Sequence, residues 1–349
     1  MKKFLIAMTM LIFALVGCSA NDSSNETTNE TANEPATETE SNGETKVMKV
    51  AVATAPDRSL TKALYEFEKI VEEKTDGAID VEVYPDGQLG GDLQVFEGLK
   101  MGSIEASTMS TGPIASFAPK LNVLDLPFLF KDTETAHAVL DGEIGEELLK
   151  ELEGTGVIGL NYWENGYRHL TNNVREVKTA ADVAGLKIRT LENDLHIDIW
   201  EALGAVPTPM AYTELFTALE QGVVDGQENP VGNVISNKMF EVQKYLTKTG
   251  HVYNASPFLV SETFWNKLSS EEQEIIRQAA EEAKVLQREM NAEEDNTAYE
   301  QLENEGMVII ELSEEDRQTF VDAVQSVYEK YKADFGEDLV DRLIEAGMN

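Results

Sequence analysis

Residues 50–71 read VAVATAPDRSLTKALYEFEKIV. Val50 and Val52 share one face of a short strand, and Leu60, Ala63, Leu64, Phe67, Ile70 and Val71 follow at the spacing of one helical face. Gly77 then ends the helix. Ile79, Val81 and Val83 alternate with polar residues, the pattern of a half-buried strand. A Tyr84-Pro85-Asp86-Gly87 turn, a helix through Leu93, Phe96 and Leu99, and a short strand near Ile104 continue the alternation. Strands and helices in this order predict βαβ units, an α/β fold and a mostly parallel sheet.

A second βα series runs from about Gly185 to Gln243, and helices dominate beyond it. Ser269 and Glu272 form a capping-box pattern that opens a long helix predicted to bury Ile275, Ile276, Ala279, Ala283, Leu286 and Met290. Phe320, Val324, Val327, Tyr328 and Tyr331 mark one further amphipathic helix. At the other end, Lys2-Lys3 precede an apolar run from Phe4 to Val16 and then Gly17-Cys18. That run is too short for a bilayer core of roughly 30 Å and reads as a secretory signal over 1–17. Cys18 stands where a bacterial lipobox carries its lipidated cysteine; an ordinary signal peptide that happens to hold a Cys is the alternative. Residues 21–45 carry seven acids, no Lys or Arg and no large apolar side chain, so 18–45 reads as a lipidated Cys and a disordered acidic tether.

Cys18 is the only cysteine, which leaves the exported part without a disulfide, a thiolate metal site or a cysteine nucleophile. The net charge of −36 and pI near 4.3 argue against nucleic acid. They also mean that an anionic ligand needs locally placed cations. Gly154, Gly156 and Gly159 spell G-x-G-x-x-G, but a helix precedes them and an apolar strand, Val157 to Leu160, follows. A dinucleotide loop needs the reverse order, so helix cap and turn explain the glycines. No G-x-S-x-G or H-E-x-x-H occurs, and His137, His169, His196 and His251 are too scattered to suggest a ligand set. No enzyme, cofactor or metal site is expected.

Of eight arginines, most have an acid beside them in sequence, as Arg58 has Asp57; Arg168 and Arg189 do not. Arg168 closes the run Tyr162-Trp163-Glu164-Asn165-Gly166-Tyr167-Arg168 just after the apolar strand, and Arg189 ends the strand Gly185 to Arg189. Strand ends beside helix starts are where open α/β sheets bind ligands, and a guanidinium there can grip a carboxylate through two parallel hydrogen bonds. A solvated strand terminus is the alternative for either. In Val223 to Pro230, VVDGQENP, a strand is expected to end at Val224, with Asn229 as N-cap and Pro230 at the first helical position. The helix N-terminus would then offer an anion site, or the cap would serve its helix alone.

Gly185-Leu186-Lys187-Ile188-Arg189, Pro207-Thr208-Pro209-Met210-Ala211-Tyr212 and Val224-Asp225-Gly226-Gln227-Glu228-Asn229-Pro230 occur in that order. Together they resemble the solute-binding proteins of tripartite ATP-independent periplasmic (TRAP) transporters, DctP type. Pro85, Gln88-Leu89-Gly90 and Leu126-Pro127-Phe128 fit the same family, and the likeness runs from about Val50 to the C-terminus. It implies a two-lobed periplasmic-binding-protein-like (type II) fold with hinge strands and a long C-terminal helix spanning both lobes. Lobe I is expected over 46–165 plus 255–294, and lobe II over 166–254 plus 295–349.

The resemblance further implies Arg189 as the main carboxylate clamp, Arg168 as a second arginine, Asn229 as a carboxylate-binding amide and Tyr212 as an aromatic at the ligand. Asp92 can face the ligand from the first lobe; Trp163 and Tyr167 lie near the cleft or pack the core. Ser110 and Pro113 stand where sialic-acid binders carry Glu and Arg. Glu228 is followed by Asn229, where metal-assisted binders of the family carry Trp. The implied function is capture of a small organic acid, a C4-dicarboxylate ahead of a sugar acid, and delivery to TRAP membrane permease subunits by a receptor lipid-anchored to the membrane. The alternatives are a sensor lipoprotein feeding a membrane kinase and an extracellular enzyme.

Overall fold

A computed structural model describes residues 45–348. The signal segment, Cys18 and nearly all of the acidic tether lie outside the described residues. Strand β1 (Lys46–Ala51) leads to helix α1 (Ser59–Lys74), β2 (Ile79–Tyr84), helix α2 (Asp92–Met101) and β3 (Ala106–Thr108). β1 pairs in parallel with β2 on one side and β3 on the other. The apolar stripe read from the sequence is the reason: Leu60, Ala63, Leu64, Phe67 and Val71 of α1 are buried against this sheet, Ile70 less deeply. Burial of each such side chain is worth about 1.5–3 kcal/mol.

The second parallel set is β5 (Lys187–Thr190) between β6 (Val206–Pro209) and β7 (Gly226–Pro230). Two long strands join the sets. β4 (Val157–Asn172) and β8 (Tyr245–Ser261) run antiparallel from Val157 opposite Ser261 to Asn172 opposite Tyr245. β3 pairs with β8 and β7 with β4, both antiparallel, giving the order β2-β1-β3-β8-β4-β7-β5-β6, with β9 (Val308–Ile310) beside β8. The register of β4 on β8 shifts at three places, one of them between Glu164 and Gly166, whose φ is +111°. A bulge there turns Asn165 out of the ladder.

The long helix Ser270–Asn304 crosses both parts of the fold, touching α1 at one end and the short helix Val231–Ser236 and β9 at the other. Its capping box at Ser269 and Glu272 is formed. The expected two-lobed architecture is therefore present, with long strands as hinges and a helix over both lobes.

Several local expectations are corrected. Residues 157–160 are only the start of β4, because alternate residues as far as Asn172 keep finding partners on β8 and β7. β3 begins two residues after Ile104, which instead packs on Gly98. The long helix buries Ile276, Ala279, Ala280 and Ala283, then Lys284, Gln287 and Asn291, while Ile275, Leu286 and Met290 are half-buried. The amphipathic stretch at Phe320 to Tyr331 is two helices, Glu314–Ala323 and Gln325–Phe335, broken at Val324. A last helix, Glu337–Met348, packs on Thr133–Leu140. Gly154 and Gly156, with φ of +80° and +86°, make the turn into β4; a Cβ on Gly159 would lie 2.5 Å from Leu149.

Candidate functional site

Loops at the ends of β1, β3, β5 and β7 converge on one small cavity, nearly filled by its own lining side chains. One wall carries Thr54 after β1, Asp92 at the start of α2, and Thr108 to Ser110 at the end of β3. The opposite wall carries Leu191 after β5, Tyr212, Asn229 and Asn233. Asn165 from the β4 bulge and Ser256 of β8 complete it.

The rims of this cavity meet. A Cβ on Gly91 would stand 3.3 Å from that of Ala211, one on Gly87 2.3 Å from Thr213, and one on Gly112 2.8 Å from Leu191. Asn193 donates across the same seam to Gly112 O (2.8 Å) and Asn122 Oδ1 (2.6 Å). The conformation is one with the lobes in contact over the cavity.

Of the residues singled out from the sequence, Asp92, Tyr212 and Asn229 line the cavity. Asn229 is placed differently from expectation: Val223 and Val224 lie in a turn, β7 runs from Gly226 to Pro230, and Pro230 is the N-cap of the following helix. Asn229 is thus a strand residue whose amide faces other side chains. The strand persists because β4 lies antiparallel to it, with Asn229 opposite His169.

Arg168 and Arg189 are buried in the strand layer and are not among the side chains that line the cavity; Arg189 acts electrostatically on Asp92 and Tyr212, and Arg168 reaches Asn229, which do line it. Arg168 forms an ion pair with Glu228, both fully buried, through Nε to Oε2 and Nη2 to Oε1 (2.8 Å), and Nη2 also donates to Glu228 O (2.6 Å). Its Nη1 donates to Asn254 Oδ1 (3.0 Å), and Nη2 lies 3.4 Å from Asn229 Oδ1. Burial pushes the Glu228 carboxyl up, but Arg168 and the hydrogen bond from His251 outweigh it and hold the group well below the usual carboxylate range.

Arg189 has no such partner. Its Nε (2.8 Å) and Nη2 (2.5 Å) both donate to Met210 O, and the buried Nη1 has no hydrogen bond within the protein. Burial lowers its pKa to about 10, so it remains a cation at neutral pH. Tyr212 Oη and Ser256 Oγ are likewise buried without a partner. Such groups are costly unless something accepts from them. Asp92 is pushed up to about 6, mainly by burial and against the pull of Arg189.

Trp163 lies elsewhere, at 0 % exposure in the core against Phe258, with its indole N–H donating to Ala280 O (3.3 Å). Tyr167 donates to Phe130 O (3.0 Å). The residues that sequence reasoning missed are mostly amides and hydroxyls: Asn165, Asn233, Ser256 and Thr54. The Asn165-Gly166 pair inside an aromatic strand is a bulge signal that was available. Arg58, set aside because Asp57 adjoins it, is 1 % exposed and bonds Asn233, Asn291, Glu294 and the Asn165 carbonyl.

A sequence model of the family described as bacterial extracellular solute-binding protein, family 7 (DctP), matches residues 50–334. The 2,3-diketo-L-gulonate-binding periplasmic protein YiaO of Escherichia coli is 37% identical over 75% of this chain and 79% of its own length. The sugar acid binding protein DctPAm of Advenella mimigardefordensis, solved with galactonate, superposes with a TM-score of 0.85 at 38% identity, covering 87% of this chain and 98% of that one. A TRAP periplasmic solute binding protein of Sulfurospirillum deleyianum, solved with succinate, gives 0.83 at 31% identity, covering 85% and 98%.

Proposed function

Because the chain belongs to the bacterial extracellular solute-binding proteins of family 7, we propose that it is an extracytoplasmic receptor that closes on a small organic acid and hands it to TRAP permease subunits. The observation that carries this reading is the free edge of Arg189: a buried cation with an unpartnered Nη1, acting electrostatically on Asp92 and Tyr212 of the cavity lining. A carboxylate supplies the missing acceptor. Ligand contacts from both walls favour the closed arrangement, since parted lobes cannot reach one molecule together. The reading is of a binder with no chemical step. Lobe I as 46–165 plus 255–294 and lobe II as 166–254 plus 295–349 remains the proposed division, with the seam at Gly91, Ala211, Gly112 and Leu191.

Relatives bind a sugar acid in one case and succinate in another. Here the cavity favours a single carboxylate bearing hydroxyls, reversing the order expected from sequence. Glu228 balances Arg168, and Glu294 pairs with Arg58, so Arg189 is the cation left without an ion-pair partner at this site. A second carboxylate would meet the carboxyl of Asp92, whereas a sugar hydroxyl can donate to it. The succinate-like reading keeps one supporting observation, the succinate-bound relative. We further propose that Cys18 carries the lipid anchor; an alkyne fatty acid that labels the wild type and not Cys18→Ser tests this.

The central test is a thermal-shift screen of residues 46–349 against sugar acids, hydroxy acids and C4-dicarboxylates, with Arg189→Ala alongside. Ligand at 100 times its Kd adds roughly 2.7 kcal/mol of stability. A shift for the wild type that Arg189→Ala lacks supports the reading, and the acid class that produces it chooses between the two substrates. Absence of any shift across all three classes removes it.

A further inference from the structure

Six buried side chains form a hydrogen-bond chain that runs in one direction past the cavity. Arg58 Nε donates to Asn233 Oδ1 (2.8 Å), and Asn233 Nδ2 donates to Asn229 Oδ1 (3.1 Å). Asn229 Nδ2 donates to Gln227 Oε1, and Gln227 Nε2 to Thr171 Oγ1 (2.9 Å). Thr171 Oγ1 donates to Gln243 Oε1 (2.9 Å), and Gln243 Nε2 to the carbonyl of Val242 (2.9 Å). All six residues are at most 3 % exposed.

Each amide alone fits either way round, because its oxygen and nitrogen have the same shape. The ends of the chain remove that freedom. A guanidinium has donors only, so Asn233 must turn its oxygen to Arg58 and its NH2 to Asn229. A backbone carbonyl only accepts, so Gln243 must turn its NH2 to Val242. Arg168 Nη2, 3.4 Å from Asn229 Oδ1, puts a second donor on the same oxygen. Asn229 and Asn233 both line the cavity, and each NH2 keeps a second hydrogen that the chain does not use.

Arg58 is fixed in turn. Its Nη1 donates to Ser59 Oγ (2.6 Å), Asn291 Oδ1 (2.8 Å) and Glu294, and its Nη2 to Asn165 O (2.7 Å). A Cβ on Gly232 would stand 2.6 Å from its Cζ, so the glycine makes room for the guanidinium.

We propose that Arg58 is a positioning residue: it touches no ligand, but as the donor-only start of this chain it joins Arg168 and the Val242 carbonyl in holding the Asn229 and Asn233 amides with N–H rather than C=O toward the bound acid. This rests on the organic-acid reading above. Reversal of the chain would set an amide oxygen against a carboxylate, which only accepts.

The test replaces the donor-only group by one that fits either way. Glu294 loses its partner in that change, so the variant is Arg58→Gln with Glu294→Gln, and Glu294→Gln alone is the control. In ligand-free protein, the ¹⁵N side-chain amide signals of Asn229 and Asn233 are expected single in the wild type and in Arg58→Lys. In the paired variant they shift or split. With galactonate and succinate as probes, the paired variant is expected to bind about tenfold more weakly or worse, while Arg58→Lys stays within about threefold of the wild type. In an Asn229→Ala background the same pair should add less than about twofold, since the effect passes through that amide.

Unchanged amide signals in the folded paired variant overturn the proposal. So does an affinity loss that persists in full without the Asn229 side chain. Should the paired variant not fold, Asn233→Leu cuts the chain without removing a charged group, at the cost of the Arg58 Nε bond, and the same change at Asn229 is expected. If neither acid binds the wild type, the organic-acid reading is decided by the three-class screen above, while the amide signals still decide whether Arg58 directs the chain.

Discussion

Arg168 and Arg189 are both buried arginines of the strand layer, yet their surroundings differ. Arg168 is enclosed by Glu228 and three further acceptors drawn from β7 and β8. Arg189 holds one backbone carbonyl along one edge and leaves Nη1 without a partner. The first is a completed structure and the second an incomplete one. Removing the partner of a buried balanced charge is strongly destabilising, whereas on the proposed reading the unmatched donor of Arg189 is left for the ligand. The family motif presents both as ligand arginines, but only their partners separate the two roles.

The largest expected effect tests the completed half. Glu228→Ala leaves Arg168 buried and unpaired, and the unfolding free energy in urea should fall by about 3–5 kcal/mol. The pH dependence has a definite sign. The Glu228 carboxyl lies below its ordinary 4.5 in the folded state, so its contribution is fully present above that value and is lost as pH falls toward the folded pKa. A Glu228→Ala protein as stable as the wild type would erase the contrast between the two arginines.

The incomplete half comes next. Arg189→Ala should weaken binding of the acid by about 2–5 kcal/mol in titration calorimetry. Its cost to the ligand-free protein should be smaller, about 1–2 kcal/mol, chiefly from the stranded Met210 carbonyl. If stability falls as far as in Glu228→Ala and affinity does not, Arg189 belongs with Arg168 as a structural group.

Asp92→Asn sharpens the comparison from the opposite wall. The folded Asp92 holds its proton more tightly than the unfolded chain does, about 6 against 3.8. The wild type therefore loses stability as pH rises through that window. The variant should lack this slope and be more stable at pH 8 by on the order of 2 kcal/mol, while losing preference for hydroxylated acids. A smaller effect is expected at the seam. Asn193→Ala removes the bonds to Gly112 and Asn122, and with them the cap that its Oδ1 gives Leu195 and His196; it should weaken ligand binding by about 1 kcal/mol through the closed state, beside a stability cost of about 1 kcal/mol from the lost cap.

Sequence periodicity was enough for β1, α1, β2 and α2, because each buries one face against a neighbour close in the chain. The capping box at Ser269 was legible for the same reason: its two partners are three residues apart. The joining strands were not, since β4 finds β8 only across long separations and reads as a series of polar and aromatic residues rather than one strand. Inspection of neighbouring acids misjudged the arginines. Arg168 has none beside it but pairs with a glutamate 60 residues away, and the partner of Arg58 is Glu294 rather than Asp57. The buried face of the long helix was misread where it turns polar, because Gln287 and Asn291 are internal hydrogen-bonding groups there. Asn229 does line the cavity but was misread as a helix cap, since the strand pairing that holds it comes from β4.

The seam offers one more consequence. Gly91 and Gly112 face the opposite lobe at distances where an added methyl group would collide, at 3.3 Å from Ala211 and 2.8 Å from Leu191. How long a captured acid stays before it escapes depends on how readily these edges part, and affinity differences between related complexes arise mostly in dissociation. A substitution at a rim glycine can therefore shorten the dwell time of the cargo without altering any group that recognises it, so the rate of hand-over and the choice of solute are free to change independently.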